Sequence, residues 1–223
     1  MKRKALLLLG SPRERGTSML LGNALLDGLA SRGWETETLA LTGLLEAQGG
    51  RARLLGEFTG AGLTILSAPV YVDSPPAPVM RAFEFLAGEP GERPGPDGRR
   101  FAAVFNCGFP EAMHNDVCLD VCRLFARDAG LHWSGGLGVG GGGAVGGTLD
   151  ARGRLTAGLR TALDMAAKAL AQDMDIPGEA RELAAKPIVS KWLYLLMAEC
   201  GWFRLAAKHG KLLKLGNRPF RNR

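Results

Sequence analysis

The run Ala5-Leu6-Leu7-Leu8-Leu9, closed by Gly10, constrains this chain more than any other feature. Five consecutive apolar residues do not alternate as a strand with one wet face must. They suit a strand buried on both faces, with helices covering a parallel sheet above and below. The basic start MKRK before this run imitates an export leader, but the run is short and no small-residue cleavage site follows, so a first strand is the expected role.

The segments that follow continue the theme. Residues 18–31 carry Met19, Leu20, Leu25, Leu26 and Leu29 at helical spacing, and residues 34–40 alternate as a second strand. Residues 43–58 suit a helix interrupted by Gly49 and Gly50, and residues 62–68 form a third apolar strand closed by Pro69. A helix is expected over 77–87, with Pro78 in the first turn where its missing N–H does no harm. A Gly- and Pro-rich loop at 88–100 leads to a fourth strand at 101–106, a helix at 112–129 and a fifth strand at 131–139. A glycine-rich loop covers 140–147, and helices at about 156–173 and 188–208 complete the chain.

Strand and helix thus alternate through the first 150 residues, which predicts an α/β fold, a doubly wound parallel five-stranded sheet with right-handed crossovers and added C-terminal helices. The strand order that fits is 2-1-3-4-5. In such a sheet ligands bind beyond the carboxyl ends of the strands at the switch point, which selects the loops at 10–18, 69–77 and 106–115.

Charge divides the chain differently. From Lys186 onward nine Lys or Arg face one acid, Glu199, a net of +8, and since the whole chain carries +6 the preceding residues carry −2. The expected organisation is a ligand-binding domain over 1–175 and a basic helical extension over 176–223, with separate roles. Cys107, Cys118, Cys122 and Cys200 form no framework of spaced pairs, so reduced thiols in a cytoplasmic protein are expected.

The first loop reads Gly10-Ser11-Pro12-Arg13-Glu14-Arg15-Gly16-Thr17-Ser18. A helix N-terminus offers free N–H groups and a partial positive charge, which suit a phosphate. Ser11, Thr17 and Ser18 can add hydroxyl donors, Gly16 lets the backbone come close, and Arg13 can serve the phosphate, a ring or a pyridine nucleotide. The segment is neither a Walker A loop nor GxGxxG. An ordinary strand–helix turn with a Ser/Thr cap is the alternative.

The sequence GSPRERGTS resembles the first FMN loop of the flavodoxin-like NAD(P)H-dependent FMN oxidoreductases, whose usual form is Gly-Ser-x-Arg-x-x-(Gly/Ser)-x-(Ser/Thr). The resemblance continues through APVYVDSPPAPVMRAF (68–83), NCGFPEAMHN (106–115) and the GGxxxGG pattern near 142–147, covering roughly the first 150 residues. It implies a flavodoxin-like fold, bound FMN, NAD(P)H (as NADH or NADPH) as co-substrate and a homodimer or tetramer. It places Pro69, Val70, Tyr71 and Val72 along the isoalloxazine edge, with Tyr71 able to stack on the flavin or the nicotinamide. Asn106, Cys107, Gly108 and Phe109 would meet the pyrimidine edge, Gly108 permitting close approach, with Glu111 and His114 near the mouth. Tyr71 could instead close the core, and His114 could orient a substrate, donate a proton or simply begin a helix.

Other motifs carry less. His114, Cys118 and Cys122 share a helix face, and with Cys107 make a nominal zinc set, but two helical turns separate the ends by about 12 Å, and core packing is the plainer role. No metal is expected. Residues 136–141 (GLGVGG) match GxGxxG formally but sit on the fifth strand rather than in the first strand–helix turn, which disfavours FAD and suggests a loop beside the pocket.

Three functions follow from these readings. The first is an oxidoreductase passing electrons from NAD(P)H through FMN to a small quinone, nitro or azo acceptor. The second is a flavodoxin-type electron carrier. The third is a binding module that uses its basic helix at a membrane or an acidic partner. For that helix (188–208), packing on its own domain or a dimer competes with peripheral contact on an anionic membrane through Trp192, Tyr194, Trp202 and Phe203. Nucleic acid is not expected, because no reading motif accompanies the charge.

Overall fold

The computed structural model describes residues 3–13, 16–88, 98–145 and 156–217. Two compact units divide the chain, residues 1–188 and 189–223. The expected glycine-proline loop at 88–100 and glycine loop at 140–147 fall partly outside the described residues.

The first unit is built on five parallel strands: β1 (Lys4–Leu9), β2 (Glu35–Ala40), β3 (Leu63–Pro69), β4 (Arg100–Asn106) and β5 (His132–Val139). Their order is β2-β1-β3-β4-β5, the doubly wound flavodoxin-like arrangement expected from the sequence. β1 lies beside both β2 and β3, so the chain reverses its winding direction there, and a crevice must open beyond the carboxyl end of β1.

The continuous apolar run of β1 explains how the layers are filled. Ala5 and Leu7 point to one face, where they join α1 (Thr17–Ala30), α6 (Ala157–Ala171) and α7 (Gly178–Ala185). Leu6 and Leu8 point to the other, where α2 (Gly50–Gly60), α3 (Ala77–Ala87) and α4 (Asp116–Asp128) cover the sheet. Phe83 and Phe125 stack at 3.9 Å between α3 and α4, with Phe101 of β4 edge-on to both. On the first face, a Cβ on Gly22 of α1 would come within 2.8 Å of Leu7, so glycine lets the helix ride close on β1 and sets where its N-terminus lies.

Several elements differ from the sequence reading: α2 begins only at Gly50, after turns over 42–49, and a short helix, α5 (Gly142–Val145), stands in the expected glycine loop. The segment 112–129 begins as a tight 3-10 turn at Ala112–Asn115 before α4. α7 falls between the helices expected at 156–173 and 188–208, inside the segment read as a basic helical extension; its inward residues are only alanines, Ala180 and Ala184, which give little periodic signal. Those alanines and Ile176 complete the first-face core, and the Ile176 N–H donates to the Ser134 carbonyl at 2.8 Å. Residues 176–188 therefore pack within the first unit.

The second unit contains α8 (Lys191–Lys208), entered by Ser190, whose hydroxyl accepts from the Leu193 N–H at 3.4 Å. A short 3-10 turn at Leu212–Lys214 follows it.

Candidate functional site

Three loops converge at the carboxyl ends of β1, β3 and β4, and together they enclose an open cleft of about 220 Å³. Its lining is Ser11, Arg13 and Gly16 to Ser18 from the first loop, and Pro69 to Tyr71 from the second. Asn106 to Gly108 come from the third, and Gly142 and Gly143 from the segment after β5. A larger groove of about 500 Å³ runs along the sheet edge by β5 and α4, away from the convergence of strand ends.

The first loop leaves β1 through Gly10, whose N–H donates to Ser67 at 2.9 Å. A Cβ there would sit 2.3 Å from Val79, so only glycine lets the chain pass under α3. The loop ends at Gly16, which caps α1 in an extended conformation and offers no side chain to the helix. The first turn of α1 contains no acidic residue either. Among the described residues, no side chain caps these amides, so they and the positive end of the dipole face the cleft as a seat that suits an anion.

Two of the three hydroxyls expected to serve an anion, those of Thr17 and Ser18, donate to other loops. Thr17 Oγ1 donates to the Gly142 carbonyl at 2.7 Å, and Ser18 Oγ donates to Asn106 Oδ1 at 2.7 Å. Ser67 Oγ donates to the Ser18 carbonyl at 2.6 Å, and Ser11 Oγ accepts from the Arg13 N–H at 3.2 Å. A hydroxyl has one proton, so Thr17 and Ser18 tie the first loop to the others, whereas Ser11 only accepts and keeps its proton to donate.

In the second loop, Tyr71 and Ser74 exchange backbone hydrogen bonds at 3.0 and 3.2 Å around a two-residue turn. Val72 (φ 51°) and Asp73 (φ 55°) both take left-handed conformations there. Such turns ordinarily use Asn-Gly, and a β-branched residue in this region stores strain. Val72 is 98 % exposed and stands outside the cleft, whereas Tyr71, 45 % exposed, lines it.

The third loop is stitched to the segment after β5. The Cys107 N–H donates to Val139 at 3.0 Å, that of Gly142 to Cys107 at 2.9 Å, and that of Gly141 to Phe109 at 2.6 Å. A Cβ on Gly140 would lie 2.1 Å from the Pro110 carbonyl oxygen, and one on Gly142 would lie 2.9 Å from Asn106 Nδ2. These glycines are what allow the two backbones to touch. Phe109 and Glu111 do not line the cleft, and the Phe109 ring rests 4.5 Å from that of His114.

Sequence reasoning missed Ser67 and Asn115. Asn115 is fully buried behind the third loop, where its Nδ2 donates to Ala112 at 2.7 Å and reaches Cys107 Sγ at 3.6 Å. Its Oδ1 has no hydrogen-bond partner among the described residues. Ser67 stands in no motif, and Asn115 closes the NCGFPEAMHN segment without having been singled out, whereas Gly142 and Gly143 belong to the GGxxxGG pattern noted near 142–147.

Three of the four cysteines are buried. Cys118 and Cys122 are wholly buried in the α3–α4 core, and burial pushes the Cys118 thiol up to about 12 and that of Cys122 well above its usual value. Burial also raises Cys107, against hydrogen bonds from its surroundings that lower it. Cys200 is exposed. Under native conditions near pH 8, a disulfide reagent is expected to titrate one thiol quickly, Cys200. The other three should react at least ~100-fold more slowly, and together on denaturation. A fast second thiol in a Cys200→Ser variant contradicts this packing.

No family model and no curated protein sequence matches the chain. Solved structures do. The crystal structure of a quinone reductase, described as putative, from Klebsiella pneumoniae aligns with a TM-score of 0.61 and 15 % identity, over 79 % of this chain and 88 % of that one. An NADH:FMN oxidoreductase in its apo form aligns with a TM-score of 0.58 and 15 % identity, over 81 % and 94 %. An FMN-dependent NADH-azoreductase from Bacillus anthracis in complex with FMN aligns with a TM-score of 0.55 and 14 % identity, over 76 % and 99 %. At these identities the likeness is one of fold, and the fold is flavodoxin-like.

Proposed function

We propose that the cleft binds FMN and that the chain is an NAD(P)H-dependent FMN oxidoreductase delivering electrons to a small quinone, nitro or azo compound. The observation that carries this reading is the N-terminus of α1, with no side-chain cap and no acid in its first turn, opening into a cleft with an aromatic wall and a glycine wall. The donors fit the group. Amides of Thr17 and Ser18 and the dipole of α1 would hold the phosphate, with Arg13 exposed at the same rim. Tyr71 would offer an aromatic face to the ring, and the backbone at Asn106–Gly108 would meet its polar edge without adding a charge.

When bound, FMN supplies the hydride chemistry, and the protein contributes position and surroundings. Asn106 accepts from Ser18, which holds the phosphate end and the ring end of the cleft in one hydrogen-bonded frame. Gly142 and Gly143 leave a wall with no side chain, on which a flat group can lie close. The FMN-bound azoreductase and the two reductases of like fold support this choice of cofactor and reaction class.

The test is a flavin spectrum of the purified chain followed by NADH and NADPH oxidation with a quinone, a nitroarene and an azo dye. Bound FMN and a rate above that of equimolar free FMN are expected. Failure to retain FMN on dialysis sinks the cofactor assignment, and a rate equal to free FMN sinks the oxidoreductase while sparing the flavin site.

A further inference from the structure

We infer that α8 with the basic segment after it is an interfacial anchor for an anionic lipid surface. The inference does not depend on the flavin. Helical spacing at about 100° per residue gathers Trp192, Leu195, Leu196, Trp202 and Phe203 within roughly a third of the circumference. All five are solvent-exposed, Trp192 at 72 % and Trp202 at 67 %. Arg204 and Lys208 fall on the opposite side, and Lys211 and Lys214 follow beyond the helix.

The apolar groups continue past the arc. Leu193, Met197 and Leu205 are exposed on the same helix, and Leu212, Leu213 and Leu215 are exposed after it. Among the described residues no helix is long and apolar enough to cross a membrane. An 18-residue helix with two tryptophans, bearing cations at its flanks, instead matches the water–lipid boundary, where indole rings sit among headgroups and lysines reach outward.

Charge selects the occupant. Residues 186–223 carry a net of +8. Pairing with a second copy would bring two such segments together, and like charges oppose that. A groove on an acidic protein would answer the charge but takes one narrow stripe, whereas these exposed side chains spread around and beyond the helix. An anionic bilayer answers both features, since it is negative and deforms to the apolar groups it receives. Glu199 is the one charged residue inside the arc, and it opposes binding there.

The experiment is sedimentation of the full chain with vesicles of phosphatidylcholine alone, and with phosphatidylglycerol added. Pelleting with the anionic vesicles only, reversed by salt, is expected. Each cation near the surface is worth about fivefold in partitioning, so Arg204→Glu with Lys208→Glu should weaken it at least ~25-fold. Trp192→Ser with Trp202→Ser should abolish it, and Glu199→Gln should strengthen it several-fold. The salt titration needs no variant, and unchanged melting and circular dichroism show that the variants fold. No pelleting, equal pelleting with neutral vesicles, or a charge-reversed variant that pellets like the wild type overturns the inference. A vesicle-free dimer that Trp202→Ser dissociates also overturns it, because the face then belongs to a second copy.

Discussion

Gly16→Asp is expected to cost the chain at least a hundredfold in FMN affinity while leaving it as stable as the wild type, or more so. Gly16 sits at the N-cap of α1 with φ −167° and ψ 175°, a conformation open to any residue. Among the described residues beyond its chain neighbours, a Cβ there would find only Arg13 within 4 Å, at 3.9 Å, so the substitution meets no clash with them. Aspartate is among the best N-caps, worth about 1 kcal/mol to the helix, because its carboxylate accepts the free amides of the first turn. Those are the amides proposed to hold the phosphate.

The carboxylate would thus occupy the anion seat and repel a phosphate dianion a few ångströms away. At an effective dielectric near 20 that repulsion is several kcal/mol, and a loss of ~2.7 kcal/mol already corresponds to a hundredfold. Flavin fluorescence titration gives the affinity, and thermal melting of the flavin-free protein gives the stability. Undiminished FMN affinity in a folded Gly16→Asp chain would show that α1 does not carry the phosphate. Loss of folding would show instead that the loop packs against Gly16 in a way its open surroundings do not indicate.

The second large effect is expected at Gly140→Ala, with the opposite signature. A single methyl would meet the Pro110 carbonyl oxygen at 2.1 Å and the Phe109 carbonyl oxygen at 3.1 Å. Both are backbone atoms that cannot rotate away. The bonds from Gly141 to Phe109 and from Gly142 to Cys107, which close the third loop onto the end of β5, would have to lengthen or break. Overpacking of this kind costs about 3 kcal/mol, or roughly 6–12 °C in melting temperature for a chain of this size. Flavin binding should weaken as well, because Gly142, Gly143 and Cys107 all line the cleft. A melting temperature within about 2 °C of the wild type would mean that the two loops are not in contact. Between them, the variants separate occupation of the site from its assembly.

The core that supports the cleft was legible in the sequence because its signals are local. An unbroken apolar run such as Leu6–Leu9 has one physical outcome, burial on both faces, and alternation with amphipathic helices leaves few ways to wind the sheet. α7 was not legible, because alanines at 180 and 184 bury well but carry almost no pattern of their own. Val72 shows the same limit in a loop. Its residue type argues against a left-handed turn, yet the Tyr71–Ser74 pairing imposes one and turns the side chain away from the cleft.

The sequence alone therefore determined the α/β class, the strand order and the three loops that meet at the switch point, since hydrophobic periodicity and chain connectivity decide those. It also determined the separation of a near-neutral body from a basic end, which is a matter of counting charges. Only the tertiary structure decided what the site's side chains do. Thr17 and Ser18 look like anion ligands when read along the chain, and become ties between loops once Gly142 and Asn106 lie at hydrogen-bond distance. A hydroxyl's partner is chosen by neighbours far away in sequence, and no local pattern encodes that choice.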